Sequence, residues 1–341
     1  MREPAFWSRP TSWMSLALTP LGALYGWVAA QRMQTRGFDA GVPVICVGNY
    51  HVGGAGKTPT VLALAALLRG FGETPVVLSR GYGGKLQGPI RVDPVHHVAG
   101  DVGDEPLMMA SQVPVVVARD RIDGVARARS LGASVILMDD GFQNPAIAKD
   151  LSLIVIDAQK GLGNGRVLPA GPLRAPLPPQ LDQTDALIVV GQGRAAEPIA
   201  ARLKTIGRPV FSAYLQPDEL SLQSLRGKRV FAFAGIGDPP KFFRTLRESG
   251  IEVVRERSFA DHHMFSTAEV NEMAAESEHE ALTLVTTEKD WVRLRLMPGE
   301  EKSSPEIVPL PVTLVFAEVE SLRGLISSSL FEARSRKRRD S

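Results

Sequence analysis

The chain has 341 residues, enough for two domains and too many for one core of ordinary size. Its 44% hydrophobic and 22% charged content excludes a disordered protein, and a net charge of +2 excludes a global nucleic-acid-binding surface. One cysteine, Cys46, excludes an internal disulfide and suits a reducing compartment.

Residues 12–30 form an uncharged stretch of nineteen positions between Arg9 and Arg32, rich in Trp13, Leu16, Leu21, Leu24, Tyr25 and Trp27. The length just reaches that of a membrane span, but Pro20, Gly22 and Gly26 weaken that reading and the aromatic residues favour an interfacial zone. A helix lying in or dipping into a membrane surface is expected. The alternatives are a helix packed on the first domain and a cleaved leader ending near Val28-Ala29-Ala30, which the phosphate loop soon after it disfavours.

An apolar strand over 42–47 leads into Asn49-Tyr-His-Val-Gly-Gly-Ala-Gly-Lys57-Thr58, and a helical period follows over 60–69. Strand, glycine-rich turn and helix together make a phosphate loop. In it, His51, Val52, Gly53, Gly54, Ala55 and Gly56 present backbone N–H groups, Lys57 a charge for the β/γ-phosphates, and Thr58 a hydroxyl for Mg²⁺. The usual first glycine of this pattern is replaced by His51.

Strands are expected over 75–79, 113–118, 135–138, 151–156 and 186–190, and helices over 105–111 and 121–131, as in a doubly wound α/β sheet. Long Gly- and Pro-rich loops fill 81–103 and 161–179. The strand over 135–138 ends in Asp139-Asp140, an acidic pair suited to Mg²⁺ beside a phosphate loop. The Gly103-Asp104-Glu105-Pro106 run reads either as a helix cap or as a metal ligand or base, with Glu105 in the first turn.

A linker-like region over 215–228 precedes a second α/β pattern: strands over 229–234, 251–255, 282–286 and 312–316, and helices over 240–249, 267–277 and 319–331. Within it, Asp261-His262-His263 offers one imidazole for proton transfer, because adjacent side chains diverge and do not favour a shared metal. The run Thr286-Thr287-Glu288-Lys289-Asp290 lacks the asparagine of a guanine-reading motif and fits a helix N-terminus with Thr287 as cap. The closing run, residues 334–341, holds five basic side chains and one acidic, so the whole-chain +2 less this +4 leaves −2 elsewhere. It reads as a disordered basic tail, solvated or facing an anionic lipid surface.

Taken in order, these blocks resemble the tetraacyldisaccharide 4′-kinase family. They include Arg2-Glu-Pro-Ala-Phe-Trp, Val52-Gly-Gly-Ala-Gly-Lys-Thr-Pro, Leu78-Ser-Arg80-Gly-Tyr82-Gly-Gly, Val102-Gly-Asp-Glu-Pro and Ala118-Arg119-Asp-Arg121. Further blocks are Met138-Asp-Asp-Gly-Phe-Gln143-Asn, Gly163-Asn-Gly-Arg-Val-Leu-Pro-Ala-Gly-Pro-Leu-Arg174, Phe233-Ala-Gly-Ile-Gly-Asp-Pro, Phe259-Ala-Asp-His-His and Thr286-Thr-Glu-Lys-Asp. The family's own loop resembles Val-Gly-Gly-x-Gly-Lys-Thr, so His51 is no departure. Ala175 is one, standing where many members have glutamate.

The resemblance implies phosphoryl transfer from ATP, with Mg²⁺, to the 4′-hydroxyl of an acylated disaccharide 1-phosphate in lipid A biosynthesis. It implies a peripheral place on the cytosolic face of the bacterial inner membrane, and neither a nucleic-acid nor a protein partner. It makes Asp104 and His262 a base pair on the sugar hydroxyl, with Lys57 on the phosphates. Thr58, Asp139, Asp140 and Glu105 are then expected at Mg²⁺, and Arg80, Tyr82, Arg119, Gln143 and Arg174 at the acceptor or phosphates.

The expected fold is two α/β/α domains: a P-loop NTPase-like, mostly parallel sheet over 37–222 and a smaller Rossmann-like sheet over 223–333. An apolar helix within 1–36 precedes them and the tail 334–341 follows. A membrane-associated P-loop ATPase switch acting on a protein partner is the competing reading; Val52 occupies the position of the extra lysine such switches carry.

Overall fold

The computed structural model describes residues 4–9, 12–294 and 306–339. Its strands in chain order are β1 Val44–Gly48, β2 Pro75–Ser79, β3 Ile90–Arg91, β4 Val115–Val117, β5 Val135–Asp139, β6 Leu151–Asp157 and β7 Ala186–Val190. They continue with β8 Val210–Pro217, β9 Arg229–Ala234, β10 Glu252–Ser258, β11 Thr283–Thr287, β12 Ile307–Leu310 and β13 Val312–Phe316.

Nine strands form one sheet in the order β13-β8-β7-β6-β1-β5-β2-β4-β3, parallel except at the β13/β8 and β3/β4 edges. The central strands are almost wholly apolar because helices cover both faces. In β1, Ile45 and Val47 pack with Val61, Leu64 and Leu68 of helix Lys57–Gly70. Val44 and Cys46 point the other way, toward Val125 and Ala128 of helix Arg121–Ser130. The phosphate loop leaves the carboxyl end of β1, and Asp139 ends β5 beside it, where open α/β sheets bind ligands.

A second, four-stranded parallel sheet runs β10-β9-β11-β12. Phe231 and Phe233 pack with Phe265, Val270 and Met273 on one face. Val230, Ala232 and Ala234 meet Phe242, Phe243 and Leu246 on the other. The two sheets define a larger and a smaller lobe.

Three expectations change. The linker-like run at 215–228 is the end of β8 followed by helix Glu219–Leu225, whose cap is Asp218, accepting from Ser221 N. The 312–333 segment, expected in the second domain, returns to the larger lobe: β13 pairs with β8, and Leu322, Ile326 and Leu330 enter its core. The tail expected to be disordered from 334 continues helix Val319–Arg339. Arg334 pairs with Glu73, Arg336 with Asp150, and Lys337 with both Asp39 and Asp150, so three carboxylates distant in sequence hold three of the tail's five basic side chains.

The N-terminal helix is present as Trp13–Met33, with Pro20 inside it, and no helix among the described residues is long and apolar enough to cross a membrane. Apart from Met33 at its end, its buried positions are small: Ser15, Gly22 and Gly26 press on the 163–176 segment. A Cβ on Gly22 would come within 2.9 Å of the Val167 carbonyl oxygen. Ser15 Oγ donates to Ala170 O at 2.6 Å and Arg166 Nη1 to Thr19 Oγ1 at 2.7 Å. The large residues Trp13, Leu21, Leu24 and Trp27 are therefore left outward, each more than half exposed.

If helix Val319–Arg339 is part of the larger core, Ile326→Ala should cost about 2–4 kcal/mol in urea unfolding. Phe331→Ala, on the exposed side of the same helix, should stay within about 0.5 kcal/mol of the parent. Equal small effects would mean that the helix only rests on the surface.

Candidate active site

Gly56 caps helix Lys57–Gly70 in the left-handed region, φ 88°, with no side-chain cap over the first turn. The helix therefore opens on unclaimed N–H groups, the arrangement that binds phosphate. Space around Gly54 is open, whereas Ala55 is buried in the core and Val52 N donates to Pro172 O at 2.9 Å. Asn49 Nδ2 donates to Gly53 O at 3.2 Å and so braces the loop from the end of β1. His51 is buried, with Nδ1 at 2.9 Å from Val52 O and Nε2 lacking a partner. Burial depresses its pKa and favours a neutral ring.

The two carboxylates after β5 differ sharply. Asp139 is 2% exposed; its Oδ2 accepts from Ser79 Oγ at 3.2 Å and its Oδ1 has no partner. Burial, then the charges of Glu105 and Asp140, push its pKa up to about 7 despite Lys57 and the Ser79 hydrogen bond. A buried carboxylate with an unpartnered oxygen fits a cation that arrives with substrate. Asp140 sits at φ 50° and turns toward Arg174, which donates to it at 2.9 and 3.1 Å, and toward Lys57 Nζ at 3.5 Å. Burial works to raise its pKa, but Lys57 and Arg174 outweigh it and hold Asp140 low.

Among the described residues no three His, Cys, Asp or Glu side chains make a ready metal cage. Mg²⁺ needs none, since it keeps waters and takes phosphate oxygens. Thr58, in the first turn of the loop helix, is buried beside these groups' loop.

Asp104 begins helix Asp104–Ala110 of the larger lobe and is buried, yet its carboxylate partners come mostly from the smaller lobe. His262 Nδ1 lies 2.9 Å from Asp104 Oδ2, and Arg293 donates to the same oxygen through Nε at 3.1 Å and through Nη2. Lys289 Nζ is 3.7 Å from Asp104 Oδ2 and 3.2 Å from Glu105 Oε1. Burial works to raise the Asp104 pKa, but the His262 hydrogen bond and the Lys289 and Arg293 charges hold it well below the carboxylate range. An ionised Asp104 only accepts, so Nδ1 is the ring nitrogen that donates to it, while Nε2 faces Lys289 Nζ at 3.4 Å. His263 diverges, with Nε2 at 3.0 Å from Glu269 Oε1 and its ring stacked on Phe259.

The family model described as LpxK, tetraacyldisaccharide-1-P 4′-kinase, matches residues 14–330. The chain belongs to this family. The tetraacyldisaccharide 4′-kinase of Bradyrhizobium diazoefficiens is 65% identical over 337 residues, 99% of each chain. That of Nitrobacter winogradskyi is 60% identical over 334 residues, 98% of this chain and 99% of the relative. The structure of "apo" form LpxK from Aquifex aeolicus in complex with ATP is similar over 93% of this chain and 99% of that one, with a TM-score of 0.72 and 28% identity.

In this member of the kinase family, Arg80 and Arg119 are exposed, and Tyr82, 78% exposed, meets His262 edge-on with ring centroids 6.1 Å apart. Gln143 departs from the expected acceptor-facing role. Its amide donates to Asn49 O at 2.7 Å and Gln180 Oε1 at 2.8 Å, bracing the end of β1 instead. Ala175 is fully buried and its carbonyl accepts from Gln180 Nε2. Arg2 and Glu3, the first two residues of the Arg2-Glu-Pro-Ala-Phe-Trp block, lie outside the described residues.

Sequence reasoning missed Lys289 as a site residue and Arg293 altogether. The helix-cap reading of their segment is correct, since Asp290 N donates to Thr287 Oγ1 at 3.1 Å. A signal was nevertheless available: on a short helix, Lys289 and Arg293 stand four apart and so share a face.

Asp139→Asn tests the buried carboxylate. An acid whose folded pKa is raised from the usual 3.9 to about 7 loses stability as pH rises between those values. In metal-free protein the variant should melt above the parent at pH 8, with the difference closing toward pH 4. Its Mg²⁺-dependent turnover should fall about 10²-fold or more. A variant that melts below the parent at pH 8 would remove the unpaired-charge reading.

Proposed function

We propose that this chain transfers the γ-phosphate of ATP to the 4′-hydroxyl of a tetraacyldisaccharide 1-phosphate. The carrying observation is the pairing of Asp104 with His262 across the two lobes, close enough to the phosphate loop that Glu105, next to Asp104, acts on Asp139. The loop N–H groups and Lys57 receive the triphosphate. Thr58, Asp139 and Glu105 are the groups that would hold Mg²⁺, which when bound neutralises phosphate charge. Asp140, already held by Arg174 and Lys57, orients those two cations.

As the acceptor oxygen forms its bond to the γ-phosphorus, the hydroxyl proton passes to His262 Nε2. The bond to the β–γ bridging oxygen breaks, and ADP leaves with that electron pair. Asp104 keeps the imidazole in the accepting tautomer and offsets the positive charge it gains. Tyr82, Arg80 and Arg119, all exposed, are the side chains that would meet the phosphorylated sugar.

ATP-dependent phosphorylation of the disaccharide 1-phosphate in detergent tests this directly. His262→Ala and Asp104→Asn should each lower kcat about 10²–10⁴-fold while leaving KM for ATP within about threefold. ATP hydrolysis that ignores the acceptor would favour the switch reading instead.

The same reading places the protein peripherally on the cytosolic face of the inner membrane through helix Trp13–Met33. Supporting it, the helix turns its small residues inward and its tryptophans and leucines outward, an unusual expenditure of apolar surface unless lipid receives it. Trp13→Ser, Leu24→Ser and Trp27→Ser combined should abolish co-sedimentation with phosphatidylethanolamine–phosphatidylglycerol vesicles and leave the melting temperature within a few degrees. Undiminished sedimentation would assign attachment to another surface.

A further inference from the structure

Arg293 lies on helix Glu288–Leu294, and its side chain is 2% exposed. It touches neither the phosphate loop nor the open side of the site in any contact described above. Its fork is nonetheless fully engaged. Nε and Nη2 reach Asp104 Oδ2, while Nη1 donates to Gly235 O at 3.0 Å and to Asp290 Oδ1 at 2.7 Å. The Gly235 carbonyl is shared, because His262 N also donates to it, at 3.1 Å. That bond helps hold His262 at φ 59°, in the left-handed region. Asp290 completes the frame: its Oδ2 accepts from Gly235 N at 3.0 Å and from Thr287 Oγ1.

We propose that Arg293 is the positioning residue of the proton-accepting pair, fixing Asp104 directly and His262 through the Gly235 carbonyl they share. This rests on the reading of Asp104 and His262 as that pair. A planar guanidinium suits the task because its donors reach three acceptors on three segments at once, whereas an ammonium is a single point charge. Without it, Asp104 keeps His262 but is no longer held in register, and the Gly235 carbonyl that sets the His262 turn loses one of its two donors. Near-attack geometry is sensitive to shifts of about 1 Å, so the loss falls on the chemical step rather than on nucleotide binding.

The test is a kinetic double-mutant cycle on the full chain, with the disaccharide 1-phosphate and ATP varied. Arg293→Met should lower kcat about 30-fold or more with KM for ATP within about threefold, and Arg293→Lys should recover a part of that loss. In an Asp104→Asn background, Arg293→Met should cost less than about threefold further, because its effect runs through Asp104. A purely structural role gives the same fractional loss in both backgrounds and would overturn the proposal. So would near-parental kcat for Arg293→Met while Asp104→Asn is inactive. Near-parental kcat for Asp104→Asn would remove the pair reading itself, and this inference with it. Should Arg293→Met not fold, Arg293→Lys alone decides: kcat lowered about tenfold with ATP binding retained supports positioning, and parental kcat overturns it.

Discussion

A buried carboxylate that stays ionised must be paired, and Asp104 takes its partners from across the molecule. His262 and Arg293 lie 158 and 189 positions away in sequence, on the smaller lobe, while Asp104 belongs to the larger. Removing one partner of such a pair typically costs about 3–5 kcal/mol, because the remaining charge is stranded away from water. The same contact therefore joins the lobes and brings His262 to Asp104. A second bridge lies elsewhere on the lobe boundary, where Lys241 Nζ meets Asp157 Oδ2 at 2.8 Å and Lys160 meets Asp238 at 3.6 Å. Those pairs are more exposed, and solvent screening leaves them worth far less.

Two adjacent aspartates show how little backbone change is needed to give one residue type two roles. Asp139 is the last residue of β5 and stays within the buried end of the sheet. Asp140 follows at positive φ, leaves the strand, and meets Lys57 and Arg174. One carboxylate is thus compensated within the protein, and the other is left short of positive charge until something cationic arrives. The phosphate loop has the complementary shortage, since its uncapped helix start lacks negative charge. A nucleotide carrying a divalent cation satisfies both at once.

Much of this was legible in the sequence because it is written in local patterns. Short apolar runs predicted β1, β2, β5, β6 and β7, and the glycine spacing predicted the loop before Lys57. What was hidden depended on distant partners. The run from Arg334 reads as a solvated tail until Glu73, Asp39 and Asp150 are brought to it. β13 sits next to the smaller lobe's last strand in sequence, yet its antiparallel partner is β8, so proximity along the chain misassigned it. Within the site, Asp104 and His262 came from family resemblance, whereas Arg293 carries no motif of its own. Gln143 follows the acidic pair in sequence, and the resemblance implies a place for it at the acceptor or phosphates. One turn on, its amide is taken by Asn49 and Gln180 instead.

The 163–176 segment explains why the apolar helix and the phosphate site belong to one device. Helix Trp13–Met33 is seated on it through Ser15, Gly22 and Gly26, and the close approach at Gly22 leaves no room for a side chain between them. The same segment pairs backbone to backbone with the start of the phosphate loop, through Val52 N to Pro172 O and Arg174 N to Tyr50 O. It then delivers Arg174 to Asp140. An acceptor whose acyl chains stay in lipid can move only along the membrane surface, so its sugar must meet the γ-phosphate at a fixed height. With the helix on lipid, as proposed above, its seating on the segment that frames the phosphate loop would set that height. This gives a physical reason for small residues on the inner face, because longer side chains there would add slack between lipid and catalytic groups.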